Sequence, residues 1–259
     1  RTVLAYIIYG CLFLLILYYI IKLNTKRLKA QNIKLEGVIK QRTAVIEDQV
    51  HLLEHQKQEI TDSINYAQRI QQSILPSFLE INDSYKNVFI FFQPKDIVSG
   101  DFYWFKKINE HEFLLACADC TGHGVPGAFM SMICSEKLSE GFLHSKRPDK
   151  ILFYANNGIK EALRQNQQDE GKSKDGMEIA LISYNTLTKQ LCYSGANRPL
   201  WIIKSNSSEV HETKPTKASV ASFTESNFEF SLHEFILETG DAVYLSTDGF
   251  PDQFGGPDG

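Results

Sequence analysis

Val98-Ser-Gly-Asp-Phe-Tyr-Trp104 and Ala116-Cys-Ala-Asp-Cys-Thr-Gly-His-Gly124 decide the reading of this chain. They set Asp101 and Asp119 eighteen residues apart, each beside a segment that reads as a β-strand. A third aspartate, Asp248, recurs in Tyr244-Leu-Ser-Thr-Asp-Gly249. Aspartates at strand ends beside glycine suit a hard cation. Carboxylates supply charge and oxygen ligands, and glycine lets a backbone carbonyl or a substrate approach closely. Any one of the three alone reads as readily as a turn aspartate, because Asp-Gly and Gly-Asp favour turns. All three in this order, with Thr-Gly-His-Gly attached to one, point to a metal centre.

Composition narrows the function class. The 27 Lys and Arg against 31 Asp and Glu leave a net charge of −4, with no basic footprint for nucleic acid. Five cysteines at irregular spacing suit a reducing compartment better than a disulfide framework. Cys117 and Cys120 form a C-x-x-C, but no second pair or histidine stands at zinc-ligand spacing, so both read as small residues in and after a buried strand.

Three regions follow one another. Val3 to Ile21 is an uncharged apolar run. At about 1.5 Å per residue it spans roughly 28 Å, near the hydrocarbon thickness of a bilayer. Tyr18 and Tyr19 stand where an interfacial belt would place them, and Lys22, Lys26, Arg27, Lys29 and Lys34 follow, which puts everything after them in the cytoplasm. A signal peptide would carry its basic residues before the run. We therefore expect a transmembrane helix over residues 1–23, in a single-pass protein of the cytoplasmic membrane. The opening on Arg1 instead of Met points to further sequence upstream.

Residues 24–76 form a polar stretch without proline until Pro76, with one weak point at Gly37. Ile39, Ile46, Leu53, Ile60, Ala67 and Ile74 recur every seven residues, one seam of a coiled coil. The companion seam of Leu35, Arg42, Gln49, Gln56, Ser63 and Ile70 is apolar only at its ends. A helical linker forming a weak parallel homodimer is expected. It serves either as a solvated spacer or as a marginal coil that a signal shifts in register or rotation.

Residues 77–259 read as the output domain. Asn87–Gln93, Glu112–Ala118, Met177–Tyr184, Lys189–Ser194, Leu200–Lys204 and Ala242–Ser246 are short runs rich in branched and aromatic residues, the signal of strands. Two helices are expected between them, over about 127–143 and 148–164, the second with Pro148 in its first turn. Strands, two helices and further strands with short turns argue for α+β with antiparallel sheets. Residues 205–208 read as a loop tip and 214–224 as a long irregular connection.

Gln93-Pro-Lys-Asp-Ile-Val-Ser-Gly-Asp-Phe-Tyr-Trp104, Asp119-Cys-Thr-Gly-His-Gly124, Ser194-Gly-Ala-Asn-Arg-Pro-Leu200 and Ser246-Thr-Asp-Gly249 together resemble the successive motifs of the SpoIIE-like serine/threonine phosphatases, in the PPM metal-dependent family. Ile64-Asn-Tyr-Ala-Gln-Arg-Ile-Gln-Gln-Ser-Ile-Leu-Pro76 resembles the helix leading into such domains in membrane-attached bacterial receptors. The resemblance implies a sandwich of two antiparallel β-sheets flanked by helices, with two Mn²⁺ or Mg²⁺ ions at one edge. By motif, Asp119 bridges both ions, the Cys120 carbonyl completes one shell, Asp101 serves one ion and Asp248 the other. The implied substrate is a phosphoserine or phosphothreonine protein, for which an anti-sigma-factor antagonist in a partner-switching pathway is the type. Water activated by the metals would attack phosphorus, with no covalent phosphoenzyme.

Two further residues carry alternative readings. His123 would protonate the leaving oxygen, or serve only the geometry of a tight turn; the family's Gly-His-Gly directly after the metal aspartate is here displaced by two residues. Arg198 would contact the substrate phosphate, or be a surface arginine before Pro199. Asp175, before Gly176, reads as an accessory acid or a turn residue. Val220-Ala221 stands where related sequences tend to show Ile-Gly. The family pattern continues beyond Asp248 to a last strand bearing another aspartate, so weaker binding at one metal and an exposed sheet edge are expected of the sequence ending at Gly259. A non-catalytic pseudophosphatase that binds partners and relays signals through its coil is the rival reading.

Overall fold

The computed structural model describes residues 2–77, 81–82, 87–166 and 173–252. The chain divides into two compact units, Arg1–Asp62 and Ser63–Gly259.

The first unit is helical. Helix α1, Thr2–Ile74, runs 73 residues, and its last turns belong to the second unit. Leu, Ile, Lys, Gln and Glu dominate it, proline is absent, and Pro76 follows its end. An 18-residue window near its start has a mean hydropathy of 2.4, long and apolar enough to cross a membrane. The heptad residues Ile39, Ile46, Leu53 and Ile60 are exposed along the single helix.

The second unit is an α+β sandwich. Its strands are β1 (Phe102–Lys107), β2 (Glu112–Cys120), β3 (Gly176–Asn185), β4 (Gln190–Ala196), β5 (Leu200–Ile203), β6 (Val210–Thr213), β7 (Val220–Ala221), β8 (His233–Ile236) and β9 (Ala242–Tyr244). Helices α2 (Gly124–His144) and α3 (Pro148–Ala162) stand between β2 and β3. One sheet runs β1-β2-β3-β4-β8, with β7 also on β3, and the other runs β6-β5-β9, all antiparallel among these named strands.

Side-chain parity explains the layering. In β2, Leu114, Ala116, Ala118 and Cys120 face the helices, where they join Met130, Cys134 and Leu138 of α2 and Ile151, Leu152, Ala155 and Ile159 of α3. In β3, Ile179 and Leu181 join that layer, while the alternate Ala180 and Ile182 pack with Leu191, Tyr193, Leu200 and Ile202 between the sheets. Each buried branched side chain contributes roughly 1.5–3 kcal/mol.

The expected strands at residues 112–118, 177–184, 189–194, 200–204 and 242–246 and both expected helices correspond to these elements, with ends shifted by a few residues. Asn87–Gln93 is a correction. Its residues join no ladder. Val88 and Ile90 lean on the cluster of Phe105 and Phe113, while Phe89 and Phe91 are 72% and 79% exposed. The alternation that suggested a strand is satisfied by side-chain packing without backbone pairing. The irregular 214–224 connection contains the two-residue β7 and a bridge from Thr216 to Ala196.

Candidate active site

Backbone contact builds the site. The segment before β1 lies against the loop that ends β2, and the Cys120 N–H donates to the Gly100 carbonyl at 3.4 Å. A methyl group on Gly100 would sit 2.5 Å from the Gly122 carbonyl oxygen and 3.0 Å from that of Cys120. Gly122 itself has φ +91°, a region that side chains disfavour. Glycine at these two positions lets Asp101 and Asp119 approach one another. Thr121 ties the loop to β3, its N–H donating to the Gly176 carbonyl at 3.0 Å.

Asp119 has the opposite parity to Ala118 and Cys120, which places it on the face turned away from the helices, at the end of β2. Glu178 of β3 stands directly opposite it in the ladder. Asp101 precedes β1, its N–H donating to Ser99 Oγ at 3.0 Å, and Thr247 Oγ1 donates to Asp101 Oδ2 at 2.9 Å. That last bond ties Asp101 to the segment after β9 that carries Asp248.

Arg198 completes the cluster. Its Nη2 lies 2.7 Å from Asp119 Oδ2, 2.7 Å from Glu178 Oε2 and 2.8 Å from Asp248 Oδ2. Its side chain is 12% exposed, so it is no surface arginine. The turn bearing it is held from several sides. Asn197 adopts φ +57° and donates through Nδ2 to Glu178 Oε1 at 3.0 Å. Tyr193, fully buried, donates its hydroxyl to the Arg198 carbonyl at 2.6 Å.

The cluster is electrostatically tense. Asp119 is pushed up to about 7 by burial, then by the charges of Asp101 and Asp248 and a hydrogen bond with Asp101, against the opposing pull of Arg198. Burial works to lower Arg198, but the hydrogen bond to Asp248 and the charges of Glu178, Asp248 and Asp119 outweigh it and hold the guanidinium above its ordinary value. Cys117 is pushed up to about 12 by burial, then by Asp101, and burial and Cys134 raise Cys120 as well. Both thiols therefore stay protonated, in keeping with their reading as packing residues.

The expected site residues separate into two groups. Asp101, Asp119 and Asp248 come together, and the Cys120 carbonyl lies beside Gly100, next to Asp101. His123 stands at the rim, its side chain 87% exposed and Nδ1 3.2 Å from Asp96 Oδ2. Asp175 sits in a local turn with Ser173, and its carbonyl accepts from Gln165 Nε2 at 2.7 Å. Among the described residues no group of three or more His, Cys, Asp and Glu stands arranged as a ready metal cage. The carboxylates of Asp119, Glu178 and Asp248 instead converge on one guanidinium nitrogen.

Sequence reasoning missed Glu178 and Gln71. The signal for Glu178 was a lone charge within the apolar run Met177–Tyr184. Gln71, in the last turns of α1, is buried and donates through Nε2 to the Ser99 carbonyl at 2.6 Å and to Ser131 Oγ at 2.9 Å, while accepting from the Ser99 N–H at 3.2 Å. It thereby fixes the residue whose hydroxyl receives the Asp101 N–H.

Residues 109–259 match the family model of stage II sporulation protein E, SpoIIE. The SiaA-PP2C domain of Pseudomonas aeruginosa is similar at 30% identity, over 77% of this chain and 76% of that one, with a TM-score of 0.65. The RsbU and RsbW domains of Rv1364c from Mycobacterium tuberculosis share the fold at 17% identity, over 64% of this chain and 43% of that one, with a TM-score of 0.51. No curated protein sequence matches. The two-sheet sandwich, the aspartates gathered at one end of it and the matched motifs agree, and the chain belongs to the SpoIIE family of PP2C-type phosphatase domains.

Proposed function

We propose that this chain is the output portion of a membrane-anchored receptor whose PPM-type domain dephosphorylates phosphoserine or phosphothreonine on a cytoplasmic regulatory protein. The observation that carries the reading is the convergence of Asp119, Asp248 and Glu178 on one cationic nitrogen, with Asp101 tied through Thr247 to the segment that bears Asp248. Buried like charges are costly, and a cluster of this kind is retained where cations are to be held.

Asp101, Asp119, Asp248 and the Cys120 carbonyl would hold Mn²⁺ or Mg²⁺. When bound, a pair of such ions lowers the pKa of water and neutralises phosphoryl oxygens during in-line attack. The chain's own groups do the rest. Arg198 offers a planar fork for the substrate phosphate from a turn fixed by Tyr193 and Asn197. His123, exposed and held at Nδ1 by Asp96, would hand a proton from Nε2 to the departing serine or threonine oxygen. The apolar window of α1 anchors the chain in the membrane, and the exposed heptad seam supports a homodimer. The substrate type, an anti-sigma-factor antagonist, rests on the resemblance of the motifs.

One observation favours the rival pseudophosphatase. A guanidinium already balances the carboxylates, which a binding module without metals would also need. Phosphate release from a phosphoserine peptide, by the full chain in detergent micelles with and without Mn²⁺, separates the two. Release that needs Mn²⁺ and is lost in Asp119→Asn supports the enzyme; no release from folded protein at any Mn²⁺ concentration supports the binding module.

A further inference from the structure

A single side chain sits where the cations of the proposed reaction would sit. Arg198 Nη2 contacts Asp119 Oδ2 and Asp248 Oδ2, oxygens that a metal at this site would claim. We propose that Arg198 is a built-in counter-ion of the carboxylate cluster, which divalent ions must displace in order to load, so that metal binding and release of the guanidinium are one exchange. This rests on the proposed reading of the cluster as a metal centre and of Arg198 as the phosphate contact.

Charge balance gives the first argument. Asp101, Asp119, Glu178 and Asp248 carry four negative charges at most, and two divalent ions carry four positive ones. With both ions in place the guanidinium is a surplus cation in a partly buried site, and like charges a few ångströms apart repel strongly there. Without them it is the one cation in contact with Asp119, Glu178 and Asp248 among the described residues.

The second argument is how the arginine is held. A guanidinium fixed for structural ends uses its fork, with parallel hydrogen bonds to one carboxylate. Arg198 does otherwise. Nη2 makes all three of its ion-pair contacts, while Nε is buried with no hydrogen-bond partner among the described residues. A buried donor left unpaired is costly, which favours a second position for the side chain. The backbone is fixed independently, through Tyr193 and through the contacts of Asn197 with Glu178 and Ser219. Release therefore needs rotation of one side chain about an anchored turn, and leaves the guanidinium beside the site.

The test is Mn²⁺ binding to the full chain in detergent micelles, read from the electron paramagnetic resonance signal of free Mn²⁺. Removing the competing cation in Arg198→Gln is expected to tighten binding roughly tenfold or more. Arg198→Lys, which keeps the charge, is expected to stay near the unaltered protein. Equal or weaker binding in Arg198→Gln overturns the exchange while leaving the metal centre standing. No Mn²⁺ binding by any of the three proteins overturns both. A second measurement needs no variant. Phenylglyoxal modification of Arg198, followed by peptide mass spectrometry, is expected to be slow without metal and faster with saturating Mn²⁺. An unchanged or slower rate with Mn²⁺ contradicts the proposal.

Discussion

The two faces of the large sheet contrast. Toward α2 and α3 it presents Leu114, Ala116, Ala118, Ile179 and Leu181, closed over by Cys134, Leu138, Ile151 and Ile159, with every one of these almost wholly removed from water. At one end of the other face it presents Asp119 and Glu178, directly paired across β2 and β3 and answered by a single arginine. One face gains free energy from each contact. The other is apolar between the sheets, where Ala180 and Ile182 pack, but at its charged end gathers like charges and loses some of that free energy. Such a division is expected where stability is supplied by one region so that another can hold a costly arrangement.

The largest expected effect breaks the charged face alone. Asp119→Asn should reduce Mn²⁺-dependent phosphate release by roughly a thousandfold, yet leave the metal-free melting temperature unchanged or higher, because one member of a repelling set is neutralised. Paired activity and melting measurements check both halves; a collapse of the fold would show that the cluster is structural.

The apolar face should respond in the opposite sense. Leu138 is fully buried between α2 and the sheet, so Leu138→Ala should cost about 3 kcal/mol in denaturant unfolding of the second unit. At a Mn²⁺ concentration and temperature where the variant stays folded, its phosphate release should be close to that of the unaltered protein.

Asp119 lies at about 7 in the folded chain against an ordinary 3.8, so the folded state binds this proton more tightly than the unfolded state does. The stability it contributes is therefore complete below about pH 4 and is lost as pH rises through about 7. The metal-free melting temperature should fall across that window, and the fall should be smaller in Asp119→Asn. A flat profile would falsify the assigned environment of Asp119.

The smallest effect concerns β7. Ala221 and Ser222 adopt φ of +67° and +58°, and the Ala221 N–H donates to Asn156 Oδ1 at 2.7 Å. A left-handed conformation is costly for alanine and natural for glycine, so Ala221→Gly should raise stability by about 1 kcal/mol in equilibrium unfolding. This accounts for the glycine expected at that position from related sequences.

Much of this was legible in the sequence, for identifiable reasons. β2 and β3 alternate or run apolar over seven or more residues, α2 carries an apolar face and α3 has Pro148 in its first turn, so their existence and type were readable. β6 and β8, Val-His-Glu-Thr and His-Glu-Phe-Ile, are short edge strands with exposed polar residues and no periodic signal. Asn87–Gln93 misled because apolar alternation reports which side chains are covered and says nothing of backbone pairing. The three aspartates were visible through their glycines. The burial of Arg198 was not, because a turn arginine before proline looks like any surface residue until the ladder sets Asp119 against Glu178 and asks for a cation. Gln71 was hidden for a similar reason, since its partners at Ser99 and Ser131 lie 28 and 60 residues away.

We propose that the charged end of the sheet is a divalent-cation site whose carboxylates exchange Arg198 for metal. The most direct measurement is a crystal structure of the Mn²⁺-soaked protein, with the metal located by anomalous scattering. Mn²⁺ peaks are expected among Asp101, Asp119 and Asp248, with the Arg198 guanidinium withdrawn from the carboxylates. A guanidinium still bridging Asp119, Glu178 and Asp248, with no anomalous peak among them, would contradict it.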